Sequence, residues 1–300
     1  MFAITGATGH TGNVAAKTLL ARGHKVRVIG RSADRLKPLA EAGGEPFVAD
    51  ITDSKRLTEA FRGVEGIYAM VPPNPTGSDF RTFQERVSDA IASAVTSSKV
   101  MFVVSLSSVG ADKSSGTGPV VGLHNLEERL NRIPDTNVLH LRAGYFMENT
   151  LAQIGAIKAM GKAVGPLRPD LKLPMIATRD IGAVAAERLL QLNFNGKQTR
   201  ELLGQRDLSM TEAASIIGKA IGKPGLEYVR LPDDQMRPAL VEVGMSQNFA
   251  DLILQMAQAL NAGHMRALEP RSPENTTPTS YEQFVTENFL PLFQQQATAA

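Results

Sequence analysis

The sequence contains no cysteine. That excludes disulfides, thiolate metal sites and a cysteine nucleophile, and it points to a reducing compartment. A marked excess of charge of one sign is also missing: 32 lysines and arginines face 30 aspartates and glutamates, for a formal net charge of +2. Nothing in that balance makes a footprint for nucleic acid or a membrane surface, so neither is expected as a direct partner. No apolar run approaches the length of a membrane span, and no basic-then-apolar leader stands ahead of the first apolar segment. The expected location is the cytoplasm. The five histidines, His10, His24, His124, His140 and His264, show no metal-ligand spacing, so no metal is expected. There is no Walker A lysine and no G-x-S-x-G.

What is present begins at the first residues. Phe2–Thr5 reads as a short apolar strand that runs into a turn with Gly6, Gly9 and Gly12, each three residues apart. Asn13–Arg22 then has the apolar spacing of a helix, and Lys25–Gly30 reads as a second strand. A strand, a tight glycine turn and a helix N-terminus form a phosphate site. The first glycine allows the sharp turn, the second lets backbone N–H groups approach an anion, and the third lets helix and strand pack closely. The helix dipole then favours a pyrophosphate. Gly6, Thr8, Gly9, His10, Thr11 and Gly12 are the candidate binding residues, with His10 and Thr11 placed to add phosphate contacts.

A dinucleotide site needs a group after the second strand to read the adenosine ribose. A carboxylate there selects NAD; an arginine accommodates the 2′-phosphate of NADP. The position holds Gly30, Arg31 and Ser32, with no carboxylate. Arg31 therefore predicts NADP(H) in preference to NAD(H).

The alternation continues. Strands are expected over 46–50, 66–71, 100–105 and 138–142, and helices over 32–42, 54–61, about 80–95 and around 123–130. Asp53 is a candidate N-cap. This pattern predicts an α/β fold with a mostly parallel, doubly wound sheet covered on both faces. The core is expected over 1–143. From Gly144 the elements become irregular and rich in Pro and Gly, and 144–300 reads as a smaller substrate-side lobe interleaved with the core rather than independent of it. In that lobe Asp180 is expected to cap a helix over 181–191, Ser209 and Glu212 to form a capping box, and Ser280 with Gln283 to start a last helix. Strands are expected at 200–204 and 226–231. Met160, Met175, Met236, Met245, Met256 and Met265 read either as walls of an adaptable apolar pocket or as ordinary core filling.

GATGHTG at 6–12, GHKVRVIGRSADR at 23–35 and VADITD at 48–53 resemble atypical short-chain dehydrogenase/reductase proteins. RAGYFMENT at 142–150 and TPTSYEQFVTEN near the end resemble the NmrA-like branch. The resemblance implies a Rossmann-type fold over the whole chain. It also implies further cofactor-side positions: Asp50 and Ile51 by the adenine, Met70, Val71 and Pro72 after the fourth strand, and Tyr145, Phe146 and Asn149 after the sixth. Asp50 reads equally as a turn cap, Phe146 as core, and Asn149 as a helix cap.

Short-chain dehydrogenases commonly use Tyr-x-x-x-Lys on one helix. Here the residues four past Tyr68, Tyr145, Tyr228 and Tyr281 are Pro72, Asn149, Pro232 and Val285, so the dyad is lacking. On the helix where it belongs stands His124. It reads either as a proton donor, with Glu127 or Glu128 holding the imidazole, or as a neutral lining residue. Ser107 and Ser108, expected just past the fifth strand, match the region of the usual catalytic serine, and Ser107 is the second catalytic candidate. A quinone can accept hydride without a base, because its ring stabilises the resulting anion. The expected function is an NADPH-dependent oxidoreductase passing hydride to a quinone or other small conjugated carbonyl. The alternative is a non-enzymatic NADP(H)-binding redox sensor that engages a protein partner, with 114–118 and 276–279 as candidate mobile loops. The reductase requires an apolar pocket built from 144–175 and 233–265.

Overall fold

The computed structural model describes residues 1–295; residues 296–300, the end of the expected lobe, lie outside the described residues. The first half runs β1 (Phe2–Ile4), α1 (His10–Ala21), β2 (Val26–Gly30), α2 (Ala33–Glu41), β3 (Glu45–Val48), α3 (Ser54–Phe61), β4 (Gly66–Ala69), α4 (Phe80–Ser98), β5 (Phe102–Ser108), α5 (Val120–Asn131) and β6 (Asn137–Ala143). There follow β7 (Tyr145–Phe146), a 3-10 helix (Met147–Ala152), α6 (Gln153–Met160), β8 (Ala163–Gly165), β9 (Leu173–Ile176), α7 (Thr178–Gln191), β10 (Lys197–Leu202) and β11 (Arg206–Leu208). The last elements are α8 (Met210–Ala220), β12 (Tyr228–Arg230), α9 (Asp233–Glu242), α10 (Gln247–Asn261), α11 (Tyr281–Phe284), a π turn (Val285–Phe289) and α12 (Leu290–Gln295).

Seven strands form one parallel sheet in the order β10-β6-β5-β4-β1-β2-β3. This is a Rossmann-type, doubly wound sheet. The strand order reverses between β1 and β4, and such a switch point opens a crevice at the carboxyl ends of the strands. Strand residues alternate between two layers. Phe2 and Ile4 of β1 pack with Ala15, Leu19, Leu36 and Ile181 from α1, α2 and α7. Ala3 packs with Leu57, Ile91 and Leu126 from α3, α4 and α5. Both faces are covered, which is why the strands read as near-continuous apolar runs.

The later part of the chain does two jobs. It returns α7 and β10 to the main sheet, where α7 packs on α1 and β10 pairs along β6. It also builds a second core around two small sheets, β11-β9-β7 and β12-β8, filled by Ile154, Leu173, Met175, Ile217 and Phe284.

Local signals hold at several helix starts. Asp53 accepts from the N–H groups of Lys55 and Arg56, Ser209 and Glu212 form the capping box, and Ser280 accepts from Gln283 N. Others need correction. The first helix begins at His10 rather than Asn13, so Gly12 lies inside it. The fifth strand runs on to Ser108, so Ser107 and Ser108 are its last residues rather than part of a following turn. Asp180 does not cap α7, whose N-cap is Ala177. Asp180 is buried and accepts from Thr279 N at 3.0 Å and Thr279 Oγ1 at 2.7 Å. A buried backbone N–H needs an acceptor, and Asp180 supplies it. The segment 276–279 is thereby pinned, with Thr277 and Thr279 buried, and does not form the loose loop expected. The strand expected at 226–231 spans only Tyr228–Arg230 and pairs with β8 rather than joining the main sheet. No helix among the described residues is long and apolar enough to cross a membrane.

Candidate functional site

The glycine turn is a backbone device. Gly6 has φ +59°, in the left-handed region that favours glycine, and its carbonyl accepts from Gly9 N at 2.8 Å. A Cβ on Gly12 would overlap that same Gly6 carbonyl, so α1 sits against the turn with no room for a side chain. Unlike α2, α3 and α4, α1 has no side-chain cap. The first N–H groups of a helix have no partner within it. In α1 no side chain of the protein caps them.

The side chains around the turn are arranged differently from the expectation. Thr11 is buried, and its Oγ1 accepts from the Tyr68 hydroxyl at 2.9 Å. Its side chain faces the core, away from the phosphate contact expected of it. His10 is exposed on the first turn of α1. Arg31 follows β2, exposed, close enough to Asp50 for its charge to help lower that carboxyl's pKa. The larger cause of the lowering is Thr52, whose Oγ1 and N donate to Asp50 Oδ1 at 2.7 and 2.8 Å. Asp50 therefore caps its own turn. Ile51 packs on the core under α3 and α4. Arg35, absent from the expected set, donates to the Thr8 carbonyl at 3.3 Å and adds a second cation beside the turn.

A cavity of about 600 Å³ opens at the carboxyl ends of β4, β5 and β6. Met70 and Val71, Leu106 to Val109, Ala143 to Phe146 and Asn149 form its sheet side. Phe80, Gln84, Pro119, Val120 and Leu123 come from α4 and α5, Leu171 to Pro174 from the lobe, and Phe249, Ile253, Met256, Leu260 and Met265 from α10 and the segment after it. Lys172, Asp207 and Arg266 are its charged residues. Pro72 is not in this wall; Pro73 is. The methionines divide: Met256 and Met265 line the cavity, Met175 is core, Met236 and Met245 pack on a small cluster between α9 and α10, and Met160 is exposed.

Met70 joins the two regions. A Cβ on Gly6 would meet Met70 Sδ at 2.8 Å, and the same side chain lines the cavity. Thr5 Oγ1 fixes that junction, donating to the Tyr68 carbonyl and accepting from Met70 N.

The two catalytic candidates fare differently. Ser107 lines the cavity. His124 is outside its wall, and its Nδ1 is 2.8 Å from the Ala111 carbonyl. Neither expected carboxylate holds it. Glu127 is bound by Ser107 and Arg142, and Glu128 pairs with Arg132. Glu127 lies one turn from His124 on α5, but Ser107 and Arg142 hold its carboxylate toward the sheet. Tyr145 is a group the cavity does present. Burial pushes its phenol up to about 12, against a hydrogen bond from Asn149 that favours the charged form. His140, by contrast, is structural. It is buried between Ser105 and Asn131, and desolvation holds it down at about 4. No group of three or more His, Asp or Glu among the described residues could hold a metal ion.

With this geometry in hand, residues 1–286 match the model of the NmrA-like family. The chain belongs to that family. Among NmrA-like and related proteins, it is 28% identical over 257 residues to Quinone oxidoreductase 2 of Escherichia coli (strain K12), spanning 84% of this chain and 85% of that protein. It is 26% identical over 253 residues to the NAD(P)H azoreductase of Xenophilus azovorans, spanning 84% of each. The crystal structure of an NADPH-dependent quinone oxidoreductase from Escherichia coli in complex with NADPH superposes with a TM-score of 0.81 at 25% identity, covering 96% of this chain and all of that one.

Proposed function

We propose that this protein is an NADPH-dependent oxidoreductase that passes hydride to a quinone or another small conjugated carbonyl. The observation that carries the reading is the junction at Met70. One side chain closes over the glycine turn and also forms the wall of a mostly apolar cavity. A cofactor held at the turn and a planar conjugated acceptor in the cavity would be neighbours there.

The residues fit such a cofactor. The uncapped N-terminus of α1 would take the pyrophosphate, Arg31 the 2′-phosphate with Arg35 beside it, and Met70, Val71 and Phe146 the apolar face of the ring. When bound, the dinucleotide supplies the hydride. The chain's own part is to hold a planar acceptor among Phe80, Phe249 and Met256, to exclude water from it, and to offer the Tyr145 hydroxyl as a hydrogen-bond donor. With its pKa about 12, that phenol keeps its proton throughout the neutral range. The proton that completes a hydroquinone then comes from solvent, and no Tyr–Lys pair is needed. The relatives acting on quinones and azo compounds support this reading.

Absorbance of NADPH followed with a panel of small quinones tests it. Turnover with NADPH, and much less with NADH, is the expected result. Tight NADPH binding without turnover on any acceptor would favour the redox sensor instead.

A further inference from the structure

Ser107 stands opposite Arg142 in the β5–β6 register. Both side chains reach Glu127, which projects from α5 and is buried. Arg142 donates from Nε to Glu127 Oε1 at 3.0 Å and from Nη2 to Oε2 at 2.6 Å. Ser107 Oγ donates to Oε1 at 2.5 Å. The guanidinium grips both carboxylate oxygens, and the pair raises the Arg142 pKa, so the cluster is an ion pair with a serine on its flank. A serine hydroxyl has one proton and two lone pairs. At Ser107 the hydroxyl proton is used in the hydrogen bond donated to Glu127. Its neighbour Ser108 has also committed its proton, to the Val109 carbonyl at 2.9 Å. Both serines line the cavity, so β5 offers a bound molecule only lone pairs.

We infer that Ser107 is a hydrogen-bond acceptor for the carboxamide N–H of a bound nicotinamide, and not a proton donor to the molecule being reduced. The inference rests on the NADPH reading above. A quinone or enone carries only lone pairs on its oxygens and would be repelled by this wall. A nicotinamide brings an amide NH2, which such a wall satisfies. Glu127 and Arg142 are positioning residues: Glu127 accepts the Ser107 hydrogen bond and Arg142 holds Glu127 in place, which fixes which way the hydroxyl can bond.

The test is equilibrium binding, by calorimetry, of NADP+ and of its 3-acetylpyridine analogue, in which a methyl group replaces the carboxamide NH2. The proteins are wild type, Ser107→Ala and Ser107→Thr. Wild type is expected to prefer NADP+ by about 5-fold, the worth of one net hydrogen bond. Ser107→Ala should weaken NADP+ by that factor and leave the analogue unchanged, so the two ligands converge. Ser107→Thr, which keeps a hydroxyl, should restore the preference. Equal weakening of both ligands in Ser107→Ala, or no change in either, overturns the inference while the cofactor reading stands. Failure of wild type to bind either ligand overturns the cofactor reading and the inference with it.

Discussion

At the glycine-turn end of the site, one continuous stretch supplies backbone N–H groups, and Gly6 and Gly12 clear the space for them. At the cavity end, side chains arrive from β4 to β7, α4, α5, the β9 region and α10, separated widely along the chain. The first end is rigid because one carbonyl is both a hydrogen-bond acceptor for Gly9 and a wall for Gly12. The second is apolar and adaptable because it is made of rotatable side chains such as Met256 and Met265. The glycine turn is thus built on geometry that few substitutions tolerate, while the cavity is lined by side chains that can be replaced one by one.

The largest effect should come from the rigid end. Gly12→Ala places a Cβ into the Gly6 carbonyl. It is expected to cost about 1–3 kcal/mol of stability and to abolish NADPH binding, measured by thermal unfolding and calorimetry on one preparation. Next, Arg31→Glu should weaken NADPH by on the order of 10–100-fold, with NADH held as before or better; equal loss for both cofactors would remove Arg31 from the 2′-phosphate role. At the cavity end, Met256→Ala should raise KM for the quinone by roughly 3- to 10-fold through lost apolar contact. The Kd for NADPH should stay put, and a matching rise in that Kd would break the division between the two ends. The smallest effect is expected at His124. Its ring is tied to Ala111 outside the cavity, so His124→Ala should leave kcat within about twofold. The pH profile of kcat should likewise be flat between about pH 6 and 9, because the Tyr145 phenol, raised rather than lowered, keeps its proton across that window. A pH-dependent limb that disappears in His124→Ala would restore His124 as donor.

The same division decides what could be read from the sequence. The glycine spacing, the βα alternation and the caps at Asp53, Ser209 and Ser280 are local rules, carried by residues a few positions apart. The cavity obeys no such rule. Met160 is 57% exposed and Met265 only 4%, and nothing in their immediate neighbours sorts them. Glu127 was legible as a carboxylate near His124, but its partners Ser107 and Arg142 come from two other elements that no local spacing reveals. Asp180 stood where a cap belongs, yet the unpaired N–H of Thr279, arriving from far along the chain, claims it. Arg35 carried no such local signal: it stands in the first turn of α2 while Arg31 lies outside that helix, and only its hydrogen bond to the Thr8 carbonyl places it beside the glycine turn.

The central claim is that the glycine turn and the cavity serve one reaction. It is tested most directly by single-turnover oxidation of bound NADPH on addition of a small quinone, with NADH as the control cofactor. The account predicts rapid oxidation of NADPH with one equivalent of hydroquinone formed, and slowing of that step in Met256→Ala at limiting quinone. Bound NADPH that remains reduced in the presence of every quinone tried would contradict it.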